Sequence, residues 1–455
     1  MAEQPIELVP GPAPETPQTL QQLLGIDECV RYYPPDLAPV GAPDAVFESR
    51  AGSGNRVVDL FVDVPFCPTI CGFCPFNVYT HDPAKVRTYL AALEREIDLI
   101  IARHDFSDVR VGAVWIGGGT PSVLEDSMLE RLLVLLHDRF DLAGVEELTV
   151  EIKPAPQDLH QAKLDMLRRN GVRRISMGVQ SLDPAFLRVL GRGHTADDAV
   201  TVIRTLKDAG FALNADMMYR LPGQTAAQVD ADIDAVLRLG LDHLSWFPYV
   251  PHEGTSLARR IDKGRVRAQV GRSEFLAMFQ AVADRMAAGG FAQYTPYHFG
   301  RTAPCRYHAG RWGMPQRETL GLGPGAFSFF NGWIYANEHD PARHASAVAE
   351  GRPPVMVGKE LDATERITRL AVLGIKLFSL DFAAFREHSG VDLPVYYAKE
   401  LELLTEMGLV EVHPDRVECT PLGRAFNNDV ATVLATDTAR RTRHPQGLDL
   451  MRVQS

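Results

Sequence analysis

From Arg56 to Pro248 the chain repeats one unit six times: a short apolar run, a polar or glycine-rich break, then a stretch with helical periodicity. The apolar runs span 57–64, 111–116, 148–152, 174–179, 211–218 and 243–248. After the first, Asp82-Pro83 offers an N-cap and a proline at the first helical position. Val86, Leu90, Leu93, Ile97 and Ile101 then recur on one helical face. Residues 126–140, 196–209 and 226–239 read as further helices. Strands alternating with helices predict a parallel sheet with right-handed crossovers. Six such units predict an α/β fold with a partial barrel, open on one side. In such barrels the chemistry sits on loops at the C-terminal ends of the strands, and the chemistry-bearing motifs of this chain all fall there.

The first of those loops reads Cys67-Pro68-Thr69-Ile70-Cys71-Gly72-Phe73-Cys74, three cysteines with three and then two residues between them. Thiolates this close on a loop can grip one face of an iron–sulfur cluster. Clusters usually take four cysteines, so one iron would keep an open position, the mark of a catalytic rather than a structural metal. An incomplete zinc site and chance clustering of buried thiols are the alternatives. Zinc would want a fourth ligand nearby, and His81 is the one local candidate.

Gly117-Gly118-Gly119-Thr120-Pro121 ends the second strand, where glycines let backbone approach a ligand and offer bare N–H groups to a carboxylate. A tight turn needing positive φ explains the same string. Glu151 ends the third strand, a position where a lone carboxylate is ordinarily solvated. Gln180, in Gly178-Val179-Gln180-Ser181, offers a donor and an acceptor suited to ribose hydroxyls. Asp216, in the string Asp216 to Thr225 after strand five, suits a ribose as acidic residues do in dinucleotide sites.

CxxxCxxC after a first strand resembles the radical S-adenosylmethionine (SAM) superfamily. Val64-Pro65-Phe66-Cys67 and Cys74-Pro75-Phe76 resemble its HemN-like branch, around oxygen-independent coproporphyrinogen III dehydrogenase. The resemblance implies a 4Fe-4S cluster on Cys67, Cys71 and Cys74, with SAM chelating the open iron and cleaved to a 5′-deoxyadenosyl radical. It implies that Gly118, Gly119 and Thr120 hold the methionine end of SAM, that Glu151 faces its amino group and that Arg192 reaches its carboxylate. Gln180 and Asp216 are expected on the ribose, Phe61 and Phe76 beside the cofactor. Gly321 to Ser328 resembles the region of a second SAM molecule, with Phe327 touching it. Arg220 stands where the family usually has glycine. An electron donor such as flavodoxin or ferredoxin and a small-molecule substrate complete the expected partners.

Residues 1–55 are rich in Pro, Glu and Ala and read as an N-terminal extension with a short helix near 19–24. Arg31-Tyr32-Tyr33-Pro34-Pro35 is either a cover for the barrel mouth or, the simpler reading, a packed surface segment. The barrel is expected over 56–290 and a bridging segment over 291–345. Its aromatics and histidines, among them Tyr294, Tyr297, His298, Tyr307 and His308, are candidates to line a substrate chamber or to form a packed aromatic edge. Helices and one short hairpin dominate 346–455, resembling the winged-helix-like C-terminal domain of HemN-like proteins. A net charge of −11 argues against nucleic acid. No apolar run approaches the roughly 18 residues of a membrane span. Six cysteines, three of them clustered, and no signal-like start fit a reducing cytoplasm.

Departures from the family narrow the expected function. Coproporphyrinogen dehydrogenases resemble CxxxCxxCxC, but the last position here is Phe76. Phe61 and Asp63 replace the common Tyr and His. Haem-chaperone relatives read Cys-Arg-His-Asn and then Tyr-Trp, against Cys305-Arg306-Tyr307-His308 and Arg311-Trp312 here. These differences lead to the expectation of a two-SAM C-methyltransferase or cyclopropanase acting on an sp² carbon of a specialised metabolite. Porphyrin decarboxylation, haem ring opening and a haem chaperone are the alternatives.

Overall fold

Six parallel strands stand side by side in chain order: β1 (Arg56–Val64), β2 (Val109–Gly118), β3 (Glu147–Ile152), β4 (Arg174–Gln180), β5 (Ala212–Tyr219) and β6 (His243–Pro248). They come from a computed structural model that describes residues 33–34, 36–48, 56–107 and 109–435. The helix expected near 19–24 lies outside these residues. Strand alternation sorts the side chains. Val58, Leu60, Val62 and Val64 are fully buried with Leu93 and Ile97 of the Pro83–Arg103 helix in the apolar layer, while Asp59, Phe61 and Asp63 take the other face, toward the lumen. Asp82 caps that helix through Ala84 N–H at 2.8 Å, and Thr195 and Thr225 open theirs with capping boxes.

The sheet does not stop at six strands. Glu318–Leu322 joins β1 in parallel, followed antiparallel by Phe327–Phe330, Trp333–Asn337, Val355–Glu360 and Ala38–Pro39. His298–Gly300 and Ala292–Gln293 extend the other edge beyond β6. The stretch expected as a bridge is therefore woven into one sheet, of thirteen strands among the described residues. Several of these strands are only two to five residues long, too short for periodicity to reveal.

Within that stretch the Arg306–Trp312 helix packs on the inner face of β2 and stops the lumen. A side chain at Gly310 would put its Cβ 2.5 Å from Asp59 Oδ2, so glycine lets this helix reach the strands. Residues past 361 form a second core, with Phe385, Leu404, Leu409 and Val430 at its centre, around a small sheet of Ser379–Asp381, Arg416–Cys419 and Val410–Val412. Tyr33 is buried in that core and its carbonyl accepts from Arg369 Nη1 at 3.0 Å; Arg31, Tyr32 and Pro35 lie outside the described residues. No helix among the described residues is long and apolar enough to cross a membrane.

Candidate active site

The cysteine loop is closed at its base and docked along its length. Phe66–Cys67 pairs with Tyr79–Thr80, and His81 N–H donates to the Cys67 carbonyl at 2.8 Å. Gly72 is held on both sides, its N–H to Leu190 O at 3.0 Å and its carbonyl by Leu257 N–H at 2.7 Å. Cys67 Sγ lies 3.4 Å from Thr120 Oγ1, and Arg192 Nη1 donates to Cys71 Sγ at 3.1 Å. Burial pushes the Cys67 thiol up and the Cys74 thiol up to about 12. Among the described residues no three His, Cys, Asp or Glu side chains, the cysteines of this loop included, stand close enough together to hold a single ion.

Each glycine of the strap after β2 has a packing reason. A Cβ at Gly117 would fall 2.5 Å from Glu151 Oε1, and one at Gly119 2.7 Å from both the Val64 and Phe66 carbonyls. At Gly118, where φ is +97°, it would overlap Asp63 Oδ1. Positive φ at Gly118 and close approach to the chain's own Glu151, Asp63, Val64 and Phe66 account for these glycines. Gly119 and Thr120 donate their N–H groups to Val64 O (2.9 Å) and Phe66 O (2.8 Å), tying the strap to the cysteine loop. Glu151 Oε1 accepts from Trp115 Nε1 at 2.7 Å, and burial, with Asp216 nearby, lifts its carboxyl to about 8. Asp63 is buried beside it, its Oδ1 without a partner, and burial raises its carboxyl further, helped by Glu151.

A break in the β4–β5 register between Gly178 and Gln180 turns the end of β4 toward the loop. Gln180 is left with φ +72°, uncommon for a non-glycine residue and stored at the site. Arg192 Nη2 donates to the Gly178 carbonyl, so Arg192 ties this strand end to Cys71; its Nε has no partner. Asp216 is preset by Asn214 Nδ2 at 2.8 Å and Ser176 Oγ at 3.5 Å. Arg220 takes φ +56°, which explains why glycine is usual there, and lies over the Phe275 ring at 5.2 Å.

Toward the stopper helix the lumen is walled by imidazoles and aromatic rings. His243 Nδ1 meets Asn214 Oδ1 at 2.6 Å and its Nε2 meets the Tyr294 hydroxyl at 2.7 Å. The His308 ring stands 4.3 Å from that of His298 and 5.2 Å from those of Trp115 and Trp312. His308 Nδ1 has no partner, and burial holds both His243 and His308 well below the ordinary histidine range, so both are neutral. The aromatics and histidines of 294–312 therefore pack on one another against the inner face of the strands.

Cys67, Cys71, Cys74, Gly118, Gly119, Thr120, Glu151, Gln180, Arg192 and Asp216 are thus gathered at one end of the barrel. Phe61 is elsewhere, in the lumen with its ring 6.4 Å from Tyr307. Phe76 and Ile70 lie 45% and 53% exposed on the outside of the cysteine loop. Phe327 opens an interior strand of the sheet, paired between Glu318–Leu322 and Trp333–Asn337, and a Cβ at Gly321 would meet its carbonyl at 2.5 Å. The donor set fits a cluster with SAM: thiols for iron, a guanidinium for the amino-acid carboxylate, the Glu151 carboxyl and the partnerless Asp63 Oδ1 for the ammonium and Asp216 for a ribose. Sequence reasoning missed Trp115, Arg174, Asn214, His243 and Glu147. Their signal was strand alternation, which sets these residues on the inner face of β2 to β6.

The chain matches the Radical SAM superfamily model over residues 61–236 and the HemN C-terminal domain over 361–426. It is 31% identical to heme chaperone HemW of Mycobacterium tuberculosis over 386 residues, 82% of this chain and 94% of that protein. It is 28% identical to oxygen-independent coproporphyrinogen III oxidase of Salmonella typhimurium over 410 residues, 85% and 87% of the two chains. Coproporphyrinogen III oxidase (HemN) of Escherichia coli, described as a radical SAM enzyme, superposes with a TM-score of 0.74 at 26% identity, covering 84% of this chain and 91% of that one. These relatives overturn the expectation of a methyltransferase or cyclopropanase of specialised metabolism. That expectation rested on a few side chains, Phe76 on an exposed loop and Asp63, Tyr307 and His308 in the lumen. The likeness to haem-related proteins runs through both cores.

Proposed function

Because this chain belongs to the HemN-like branch of the radical SAM superfamily, we propose that it is a radical SAM enzyme directed at a haem-class or porphyrin macrocycle. The observation that carries this is His308: a neutral, half-buried imidazole whose enclosed Nδ1 has no hydrogen-bond partner, packed among Trp115, Trp312 and His298 on the inner side of the barrel. Flat aromatic walls with one unsatisfied imidazole suit a large planar ligand, and an imidazole suits its iron. The names of the relatives support the same class of ligand.

When bound, the cluster and SAM supply one-electron cleavage of a sulfonium and hence hydrogen-atom abstraction. The chain's own work is positional. Arg192 and Thr120 hold the cysteine loop against the barrel, Glu151 and Asp63 present carboxyls to the cationic end of SAM, and Asp216 and Gln180 present acceptors to its ribose. The Arg306–Trp312 helix keeps water from entering at the far end. Ile70 and Phe76, exposed on the cysteine loop, mark where a flavodoxin or ferredoxin would deliver the electron. A second SAM beside Phe327 is the finer part of this reading. It rests on the resemblance of Gly321 to Ser328 to the family's second-SAM region and on that segment lying beside Asn77, three residues after Cys74.

A haem carrier is the second reading, favoured by Phe76 in the position where coproporphyrinogen dehydrogenases have cysteine. Anaerobically reconstituted protein decides between them when titrated with haem, with Soret absorbance and 5′-deoxyadenosine as readouts. Haem binding that His308→Ala weakens, together with 5′-deoxyadenosine release that depends on haem, is the expected result. Tight haem binding with no haem-dependent SAM cleavage would identify the carrier. Absence of binding to haem and to coproporphyrinogen alike would sink the proposal.

A further inference from the structure

The chain carries a formal net charge of −11, yet residues 256–267 hold five cationic side chains, Arg259, Arg260, Lys263, Arg265 and Arg267, against one carboxylate, Asp262. All five but the half-buried Arg260 are exposed. Arg259 Nη1 donates to the Gly254 carbonyl at 2.8 Å and Arg260 Nη1 to the Val189 carbonyl at 3.1 Å, so each meets a neutral oxygen rather than a carboxylate. Lys263, Arg265 and Arg267 form no ion pair among the described residues. Other exposed arginines are treated differently: Arg131 meets Glu94 at 2.7 Å and Arg169 meets Glu130 at 2.6 Å.

This basic segment is built onto the cysteine loop. Leu257, on the Ser256–Asp262 helix, is buried with Leu190, and Phe73 of the loop packs on the same apolar cluster as Ile261 and Val266. Leu257 N–H also holds the carbonyl of Gly72, which lies between Cys71 and Cys74. The cations therefore border the loop that offers thiols for iron, whose outer side exposes Ile70 and Phe76. Like charges crowded without counter-charges repel one another. What they provide is a local positive field that steers a partner of opposite sign, while apolar residues make the centre of the contact. We propose that residues 259–267 and the exposed side of the cysteine loop form the docking face for an acidic one-electron carrier protein. The cations orient the carrier at a distance, and Ile70 and Phe76 meet it at contact. One electron then passes from the carrier's reduced cofactor to the oxidised cluster; the carrier is oxidised, the cluster is reduced and no atom changes hands. This rests on the radical SAM chemistry of the proposed function and adds the surface of its electron source, whatever macrocycle the lumen takes.

The test uses cluster-loaded protein and an acidic flavodoxin. Oxidised flavodoxin should bind wild type with a Kd that rises about tenfold or more between about 50 and 500 mM salt, because screening shortens the reach of exposed charges. A double variant, Lys263→Glu with Arg265→Glu, should bind about tenfold or more weakly at low salt and lose most of that salt dependence. Both side chains are exposed, so cluster absorbance and SAM affinity should match wild type. Release of 5′-deoxyadenosine should slow with reduced flavodoxin and not with dithionite, which needs no docking face. Equal flavodoxin affinity in variant and wild type would overturn the docking face, as would binding that ignores salt. Wild-type binding to phosphatidylglycerol vesicles that the variant loses, with flavodoxin affinity unmoved, would overturn it in favour of a lipid surface. Wild type that releases no 5′-deoxyadenosine even with dithionite would overturn the proposed function itself and the carrier's role with it.

Discussion

Glu96 and Asp63 are buried carboxyls on either side of the same turn, Gly323-Pro324-Gly325, and they are treated in opposite ways. Glu96 is completely enclosed and completely answered. One oxygen takes Asn337 Nδ2 at 2.7 Å; the other takes Gly323 N–H at 2.8 Å and His344 Nε2 at 2.9 Å. Asp63 has the Gly118 strap pressed against it, one oxygen without a partner, and Glu151 as the neighbouring charge. A buried ion surrounded by its full complement of donors is a piece of architecture. A buried carboxyl beside another carboxyl is held toward its protonated form by burial and repulsion, which is the opposite of Glu96 with its donors. The same contrast separates Arg192, reaching Cys71 with its Nε orphaned, from surface pairs such as Arg169 with Glu130.

The contrast breaks most visibly if the wrong carboxyl governs stability. Glu96→Ala leaves His344 and two N–H donors unanswered in a dry core, and should destabilise the fold by about 3–5 kcal/mol. Urea unfolding of the cluster-free protein measures this; a loss under about 1 kcal/mol would mean the clamp is not structural.

A smaller effect sharpens the comparison at the other carboxyl pair. The folded-state value for Glu151 is raised from the ordinary 4.5 to about 8. A group raised on folding keeps its contribution to stability below its unfolded value and loses it as pH rises through the folded one. Ligand-free wild type should therefore lose stability relative to Glu151→Gln as pH is raised from 4.5 to 8. Thermal unfolding across that window checks the sign. Parallel curves would show that the Glu151 carboxyl is not held up by its surroundings, and saturating SAM should flatten the difference.

The smallest effect concerns strain at the site. Arg220→Gly relieves a left-handed backbone at +56° but gives up the ring contact with Phe275 and adds freedom to the unfolded chain. These terms oppose one another, and the net change in unfolding free energy should stay within about 1 kcal/mol of zero. A larger loss would make the Arg220–Phe275 contact the reason for arginine here.

Much of this was readable beforehand. The periodicity of 83–101 marked a helix whose cap, Asp82, sits where expected, and all six barrel strands lie where the apolar runs fall. The cysteine spacing and the residues at the strand ends were visible because each occupies a fixed offset from a run of strong pattern. The strands of 292–337 were not, since hairpins this short carry too few residues for any period to show. Nor was the function: weight placed on Phe76 and on the altered residues at 305–312 pointed away from haem, whereas the relatives share both cores with this chain.

What the amino-acid sequence determined alone is whatever depends on neighbours along the chain: helices, strands, caps, the cysteine loop and the glycines that need positive φ. What the tertiary structure decided is which polar groups find partners. Arg174 and Glu147 are 27 positions apart, His308 and Trp115 are 193 apart, and Glu96 and His344 are 248 apart. Whether a charge is answered or left open depends on distances of an ångström across the sheet, set by strand register and by Gly310 bringing the stopper helix against the strands. Local pattern carries no information at that range, because the energy of a buried ion is fixed by what surrounds it in space and not by what precedes it in the chain.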